Sequence, residues 1–217
     1  HIHVTDHGHG DADPLLAKVM IDQLESGEEN SKLDAQAWFG KDLDKLWLKA
    51  EVQHRDSTTE TAELQALYSR AISPYWDLQL GLRHDQRPTP NRDWAVLGVQ
   101  GLAPYFFEVE AAVFVGEEGR SAARFKAEYD LLFTQKLILS PQLELNAYGQ
   151  TDTATGRGAG LSDSIAALRL RYEVYRELAP YLGIEWQKDY GGTADLSRVA
   201  GQPSSEHQWV LGLRAWF

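Results

Sequence analysis

The sequence predicts an all-β chain: an antiparallel up-and-down transmembrane β-barrel of about twelve strands over residues 15–217, behind a flexible His-rich arm over residues 1–14. Three observations point there. Apolar residues recur at every second position in run after run, the period of a strand whose two faces meet different surroundings. The breaks between runs are tight in some places and long and polar in others, as in a barrel with short turns at one end and long loops at the other. The final run, residues 206–217, ends on an aromatic residue: Trp209, Leu211, Leu213, Ala215 and Phe217 form one apolar face, opposed by Gln208, Val210, Gly212, Arg214 and Trp216. Such a run suits the closing strand of a barrel, with the apolar face toward lipid and Arg214 and Trp216 toward the lumen.

The bulk numbers agree with this class without dictating it. The chain has 217 residues, 43% of them hydrophobic, and a mean hydropathy of -0.42. No apolar run approaches the ~18 residues of a membrane helix, but a barrel strand is only half apolar and escapes a window average. Seven Trp, nine Tyr and seven Phe supply enough aromatic residues for interfacial girdles. The absence of cysteine excludes a disulfide scaffold and thiolate metal sites. A net charge of -11 argues against nucleic acid as a partner, because binding phosphate needs a basic surface.

Taken in order, residues 1–14 (H-I-H-V-T-D-H-G-H-G-D-A-D-P) lack periodicity and read as a polar arm. Twelve strands follow, near 16–25, 33–41, 45–55, 61–72, 76–87, 93–102, 105–117, 121–135, 137–149, 161–175, 179–190 and 206–217. The first sets Lys18, Met20 and Asp22 against Val19 and Ile21. The third sets Leu46, Leu48, Ala50 and Val52 against Trp47, Lys49, Glu51 and Gln53. Later runs repeat the pattern: Trp76, Leu78, Leu80 and Leu82 oppose Asp77, Gln79 and Arg83, and Phe107 to Val115 oppose Glu108 and Glu110. Phe125, Ala127, Tyr129, Leu131 and Phe133 oppose Arg124, Lys126, Glu128 and Asp130. Leu143 and Leu145 oppose Glu144, and Leu168 and Leu170 oppose Arg169 and Arg171. The breaks at 40–42, 73–75 and 103–104 are tight; those at 56–60, 86–92, 151–160 and 191–205 are longer and polar. A helical period would mix Leu48, Lys49 and Glu51 on one face, so the runs are not helices.

The second face separates a barrel from a soluble sandwich. It is dense in charges of both signs, which in a narrow barrel point inward and must be paired or hydrated to offset desolvation.

Several long runs resemble the copper resistance protein B family: A-Q-A-W-F-G-K-D-L-D-K-L-W-L-K (35–49), A-L-Y-S-R-A-I-S-P-Y-W-D-L-Q (66–79), R-D-W-A-V-L-G-V-Q-G-L-A-P-Y-F-F-E-V-E-A (92–111), A-E-Y-D-L-L-F-T-Q-K-L-I-L-S-P (127–141) and G-L-S-D-S-I-A-A-L-R-L-R-Y-E (160–173). The resemblance covers about residues 14–217. It implies an outer-membrane barrel of Gram-negative bacteria that binds or moves copper beside periplasmic copper-handling proteins. The family commonly carries a Met- and His-rich segment before the barrel, of which this sequence has a His-rich stretch and a single methionine, Met20.

Three places could carry that chemistry. In the arm, His1, His3, His7 and His9, with Asp6 between the pairs, offer imidazole and carboxylate ligands for Cu(II); a disordered polar tail is the plainer alternative. On the first strand, Met20 offers a soft thioether for Cu(I), against the plainer alternative of a methionine that only fills space. In the lumen, Glu51, Glu108, Glu110, Glu128, Asp130 and Glu144 would favour cations, while Arg124, Arg169, Arg171 and Arg214 would pair with them and narrow or lock the passage. His54, His84 and His207 fall at strand ends and are read as interfacial or loop residues. The expected cargo is a copper ion, Cu(I) or Cu(II), and the expected surroundings are outer-membrane lipid, with the protein a monomer. The chain is not read as an enzyme: it has no nucleophile-elbow or phosphate-loop motif. The competing class is an outer-membrane phospholipase or esterase, for which Ser69 or Ser140 with His84 would have to assemble. A closed barrel that only sequesters copper is the other alternative.

Overall fold

Alternation along the chain becomes the wall of a closed barrel. The computed structural model describes residues 14–27, 30–55, 59–88 and 90–217, so the arm histidines and Asp6 lie outside the described residues. The wall runs β1 (Leu16–Gly27), β2 (Asn30–Gly40), β3 (Asp44–Arg55), β4 (Thr59–Ser73), β5 (Trp76–Gln86) and β6 (Arg92–Ala103). It continues through β7 (Phe107–Gly116), β8 (Ser121–Glu128), the two-residue β9 (Leu131–Leu132) and β10 (Leu137–Tyr148). It ends with β11 (Gly160–Tyr172), β12 (Leu178–Asp189) and β13 (Ser205–Trp216), with one helix, α1 (Gly191–Val199), between the last two strands. Each strand pairs antiparallel with its neighbours in the wall, β8 and β9 both pairing with β10, and β13 pairs with β1. The seam is completed past the last strand residue by reciprocal bonds between Phe217 and Val19, at 2.8 and 3.0 Å. No edge strand is left, so the backbone polar groups of the wall are satisfied within it, as a bilayer requires.

β8 and β9 are two pieces of one wall strand, so the barrel has twelve strands. The alternation predicts a single strand over 121–135; the structure interrupts it at Tyr129 and Asp130. Tyr129 donates to the Pro141 carbonyl at 3.1 Å, but Pro141 has no N–H to return the bond, and the ladder breaks there. A second departure lies in β1. Its pairing slips between Ile21 and Leu24, a β-bulge, so that Asp22 and Gln23 both face inward and the alternation resumes one residue out of step. A third is α1, which replaces part of the polar loop expected at 191–205.

The outer face is the apolar one. Leu46, Leu48, Leu64, Leu80, Leu82, Leu97, Val113, Leu168, Leu170, Leu182 and Leu211 are all exposed there. Phe39, Tyr75, Tyr105, Phe106, Phe133, Tyr172, Tyr175 and Phe217 are exposed around the short-turn end, where they form an aromatic girdle. Tyr105 and Phe106 hold it through a turn with positive φ, 66° and 65°, a backbone region costly for side-chain-bearing residues. The other end carries the longer connections, chiefly 149–159 and the α1 segment.

Candidate functional site

The site is the lumen, and its residues come from the inward half of each strand. On the β4–β7 side it is partly filled by Leu67, Trp94, Val96 and Phe114, all buried, with Trp47 and Tyr148 packed against them. The rest is polar and encloses two cavities. One, of about 630 Å³, faces the short-turn end and is lined by Lys18, Met20, Asp22, Asp34, Lys49, Glu108, Glu110, Glu128, Arg171 and Arg214 among others. The second, of about 440 Å³, faces the long-loop end and includes Glu25, Asp85, Glu144, Asp163, Glu185, Asp189 and the α1 residues Thr193 and Ser197. Glu51, Glu63 and Arg124 line both, so one cavity gives way to the other at their level.

A belt of ion pairs crosses the barrel at that level. Arg124 on β8 donates to both carboxylate oxygens of Glu63 on β4, at 2.8 and 2.9 Å, and lies 3.5 Å from Glu144 on β10. Arg83 reaches Glu63 at 2.8 Å and Asp85 at 2.6 Å. Lys126 stands between Glu51 and Glu144, at 3.7 and 3.4 Å, and Lys32 meets Glu51 at 3.3 Å. Phe114 forms a floor under this belt: the Arg83 and Arg124 guanidinium carbons lie 4.6 and 5.8 Å from its ring centre. Paired and hydrogen-bonded, these charges tolerate a confined lumen that would penalise any one of them alone.

Two further clusters flank the belt. Arg169 binds Glu25 at 2.8 Å, Glu185 at 3.0 Å and the Gln142 side-chain oxygen Oε1 at 2.6 Å, while Tyr181 donates to Glu25 at 2.9 Å. Gly212 lies against the Tyr181 ring; a β-carbon there would come within 2.4 Å of it, so the position admits no larger residue without moving the cluster. Toward the short turns, Arg214 meets Glu128 at 3.1 Å and Asp22 at 3.6 Å, Arg171 pairs with Asp130, and Lys49 pairs with Glu110 at 2.8 Å. Glu108 stands opposite Glu128 across the β7–β8 pair.

The structure therefore gathers the sequence-chosen lumen residues Glu51, Glu108, Glu110, Glu128, Asp130, Glu144, Arg124, Arg169, Arg171 and Arg214 inside the barrel. Met20 lines the short-turn cavity beside Lys18 and Asp22. Trp216 does not line it: it sits at the rim, 40% exposed, under Lys18 and bonded through its ring nitrogen to the Arg176 carbonyl. The sequence analysis does not pick out Glu25, Lys32, Glu63, Asp85 or Glu185 among these paired charges, nor Tyr181, which donates to one of them. Period-two counting over β2 and β4 would have found Lys32 and Glu63; Glu25 follows the β1 bulge, which shifts the count.

At the long-loop mouth, Asp152 between β10 and β11 takes a hydrogen bond from Arg92 Nε at 3.0 Å and pairs with its Nη2 at 2.9 Å. Burial alone would raise its pKa, but the Arg92 hydrogen bond and charge outweigh that and hold the carboxyl below its ordinary value. α1 is anchored over the same mouth: buried Thr193 accepts from the Gly158 N–H at 2.8 Å and shares a hydrogen bond with Ser162, and Ser197 donates to Asp189 at 2.6 Å.

No hydrolase arrangement forms from the residues considered for one. Ser69 is buried on the lumen face beside Asp77, and Ser140 is buried there beside Asp130 and Arg171. His84 lies on the outer face, against Asp93 at 2.6 Å. His54 and His207 are exposed. Among the described residues, no group of three or more His, Cys, Asp or Glu is arranged to hold a metal ion.

Among solved structures, the barrel is similar to the NanC porin, with a TM-score of 0.60 and 12% identity over 92% of this chain and 99% of that one. Outer membrane phospholipase A from Escherichia coli gives 0.52 and 11% over 92% of each chain. These likenesses show the fold, an outer-membrane β-barrel. Sequence comparison goes further. The family model described as copper resistance protein B precursor matches residues 15–217. Copper resistance protein B of Escherichia coli is 44% identical over 203 residues, 92% of this chain and 69% of that protein. A copper resistance protein B homolog of Pseudomonas syringae pv. tomato is 41% identical over 221 residues, all of this chain and 75% of that protein. With a family match across the whole barrel and a barrel placed in the outer membrane, the chain belongs to the copper resistance protein B family.

Proposed function

We propose that this barrel serves copper resistance by passing copper ions through its lumen, with the N-terminal histidines collecting them. One observation carries the reading: the cavity at the long-loop end is lined by eight carboxylates against five Lys and Arg, an excess of negative charge that raises the local concentration of cations. The cavity at the short-turn end is balanced, with eight of each, and contains the Met20 thioether. A cation drawn in by the first would meet the belt at Glu51, Glu63 and Arg124 and continue past Glu110, Glu108 and Glu128. Arg124, Arg169, Arg171 and Arg214 hold the acidic side chains in place and narrow the path. His1, His3, His7, His9 and Asp6 offer ligands suited to Cu(II), and Met20 one suited to Cu(I). Outer-membrane lipid surrounds the protein, a monomer in this reading, and periplasmic copper-handling proteins are its functional neighbours.

A second reading, a closed barrel that sequesters copper, is favoured by the bidentate Arg124–Glu63 pair where the two cavities meet. Calorimetric titration of Cu(II) into the folded chain, with and without residues 1–13, separates the parts. The full chain is expected to bind at least tenfold more tightly than the truncated one, which keeps a weaker lumenal site. Undiminished affinity after truncation excludes the arm as collector, and loss of all binding excludes the lumen as a resting place.

A further inference from the structure

We infer that the β1–β2 wall of the short-turn cavity holds a discrete site for a hydrated divalent cation, built on Asp34 and Gln23. It deepens the passage reading by naming a stop along the lumen, and it rests on that reading only for its role.

The bulge in β1 is the starting point, because it turns Asp22 and Gln23 inward together. Their commitments differ. Asp22 is occupied: Gln36 donates to it, and Arg214 lies 3.6 Å away. Gln23 is 6% exposed and half satisfied. Its amide nitrogen donates to the Gln142 oxygen at 3.2 Å, an oxygen that also accepts from Arg169 at 2.6 Å. That contact fixes the amide, and the Gln23 carbonyl oxygen is left buried with no partner. A buried acceptor without a donor costs about 1–3 kcal/mol, a cost that a ligand at that oxygen removes.

Directly across the β1–β2 pair from Gln23 stands Asp34, whose β-carbon in such a pair lies about 4.5–5.5 Å away. Asp34 lines the same cavity, and among the described residues no hydrogen bond or ion pair ties its carboxylate down. The cations that face it are engaged elsewhere: Lys126 by Glu51 and Glu144, Lys32 by Glu51. An uncommitted carboxylate and an orphaned amide oxygen, on residues that stand opposite each other in the strand pair and both line this cavity of about 630 Å³, form a two-point oxygen site. Two ligands are too few for a dehydrated ion, so the cation keeps most of its water. Such a site prefers ions that accept oxygen ligands.

Mn(II) is a suitable probe, since it favours oxygen ligands and broadens nearby NMR signals. Met20 lines the same cavity and is the one methionine of the sequence, so a carbon-13 methyl label reports from the lumen alone. In the full chain folded in detergent, Mn(II) is expected to broaden the Met20 methyl signal saturably. Asp34→Asn should raise the Mn(II) concentration for half-broadening at least tenfold, and Gln23→Leu at least threefold. Heat-shifted gel migration identifies folded barrels; should Asp34→Asn fail to fold, Gln23→Leu decides. Half-broadening within twofold of the parent in the folded variants overturns the site. A parent barrel that passes copper and shows no saturable Mn(II) broadening sinks this site and leaves passage standing; saturable broadening without copper flux sinks passage alone.

Discussion

Replacing Glu63 by alanine destabilises the folded barrel by about 3 kcal/mol or more, the scale for stranding a confined charge, read from urea unfolding of protein refolded into phospholipid vesicles. Glu63 is the shared partner of Arg124 and Arg83. Arg83 keeps Asp85 when Glu63 is removed, with two bonds at 2.6 and 2.9 Å. Arg124 keeps only Asn146 at 2.9 Å and Glu144 at 3.5 Å, and Glu144 is shared with Lys126. Arg124 therefore carries the loss. Its side chain is 11% exposed and sits against Phe114, so water cannot fully replace the lost carboxylate. Removing Arg124 as well, as Arg124→Met in the Glu63→Ala background, should recover part of the stability, and the four proteins of the cycle give the coupling directly. A loss below about 1 kcal/mol would place the pair among weak exposed ion pairs and remove the belt as a structural feature.

The second large effect belongs to the outer face. Leu211→Arg places a charge near the middle of β13, at a position 64% exposed and paired with the equally lipid-facing Leu182. A cation at the midplane of a barrel's lipid face costs about 2–4 kcal/mol. Gln208→Arg, three residues earlier on the lumen face beside Glu185, should cost under about 1 kcal/mol, since the new cation meets a carboxylate. Equal costs at the two positions would mean that the faces of the closing strand are assigned wrongly.

That closing strand shows how much of the fold was legible. Trp209 and Leu211 face lipid and Arg214 faces the lumen, as period-two counting requires, because a barrel wall imposes that period on every side chain. The count fails where the backbone departs from a regular ladder. One residue of slip in β1 brought Gln23 and Glu25 inward and left Leu24 outside, and nothing in the composition of residues 16–27 announces a bulge. The break at Tyr129 was readable in principle from Pro141, but only once the register that sets them opposite each other was known. α1 is a short helix in a segment rich in Gly and Ser, held by Thr193 and Ser197 contacts to distant strands rather than by its own propensity.

The site was legible as a class of residues and not as a network. Alternation identified which charges point inward; pairing depends on which strands face each other across the lumen and at what height. Glu51 and Lys126 come from β3 and β8, Lys49 and Glu110 from β3 and β7, and Arg169 and Glu25 from β11 and β1. No sequence spacing encodes those distances, since they follow from closure. The apolar filling by Leu67, Trp94, Val96 and Phe114 was likewise hidden, because apolar residues on the inner face weaken the alternation that reveals a strand.

Passage of copper through the charged lumen is open to direct measurement. Liposomes loaded with a copper-sensitive dye and carrying the folded chain should take up Cu(II) faster than liposomes without protein. Uptake should saturate with concentration, as expected for ions that pause at fixed carboxylates. Uptake no faster than in empty liposomes would contradict the account and leave a closed barrel that only holds the metal.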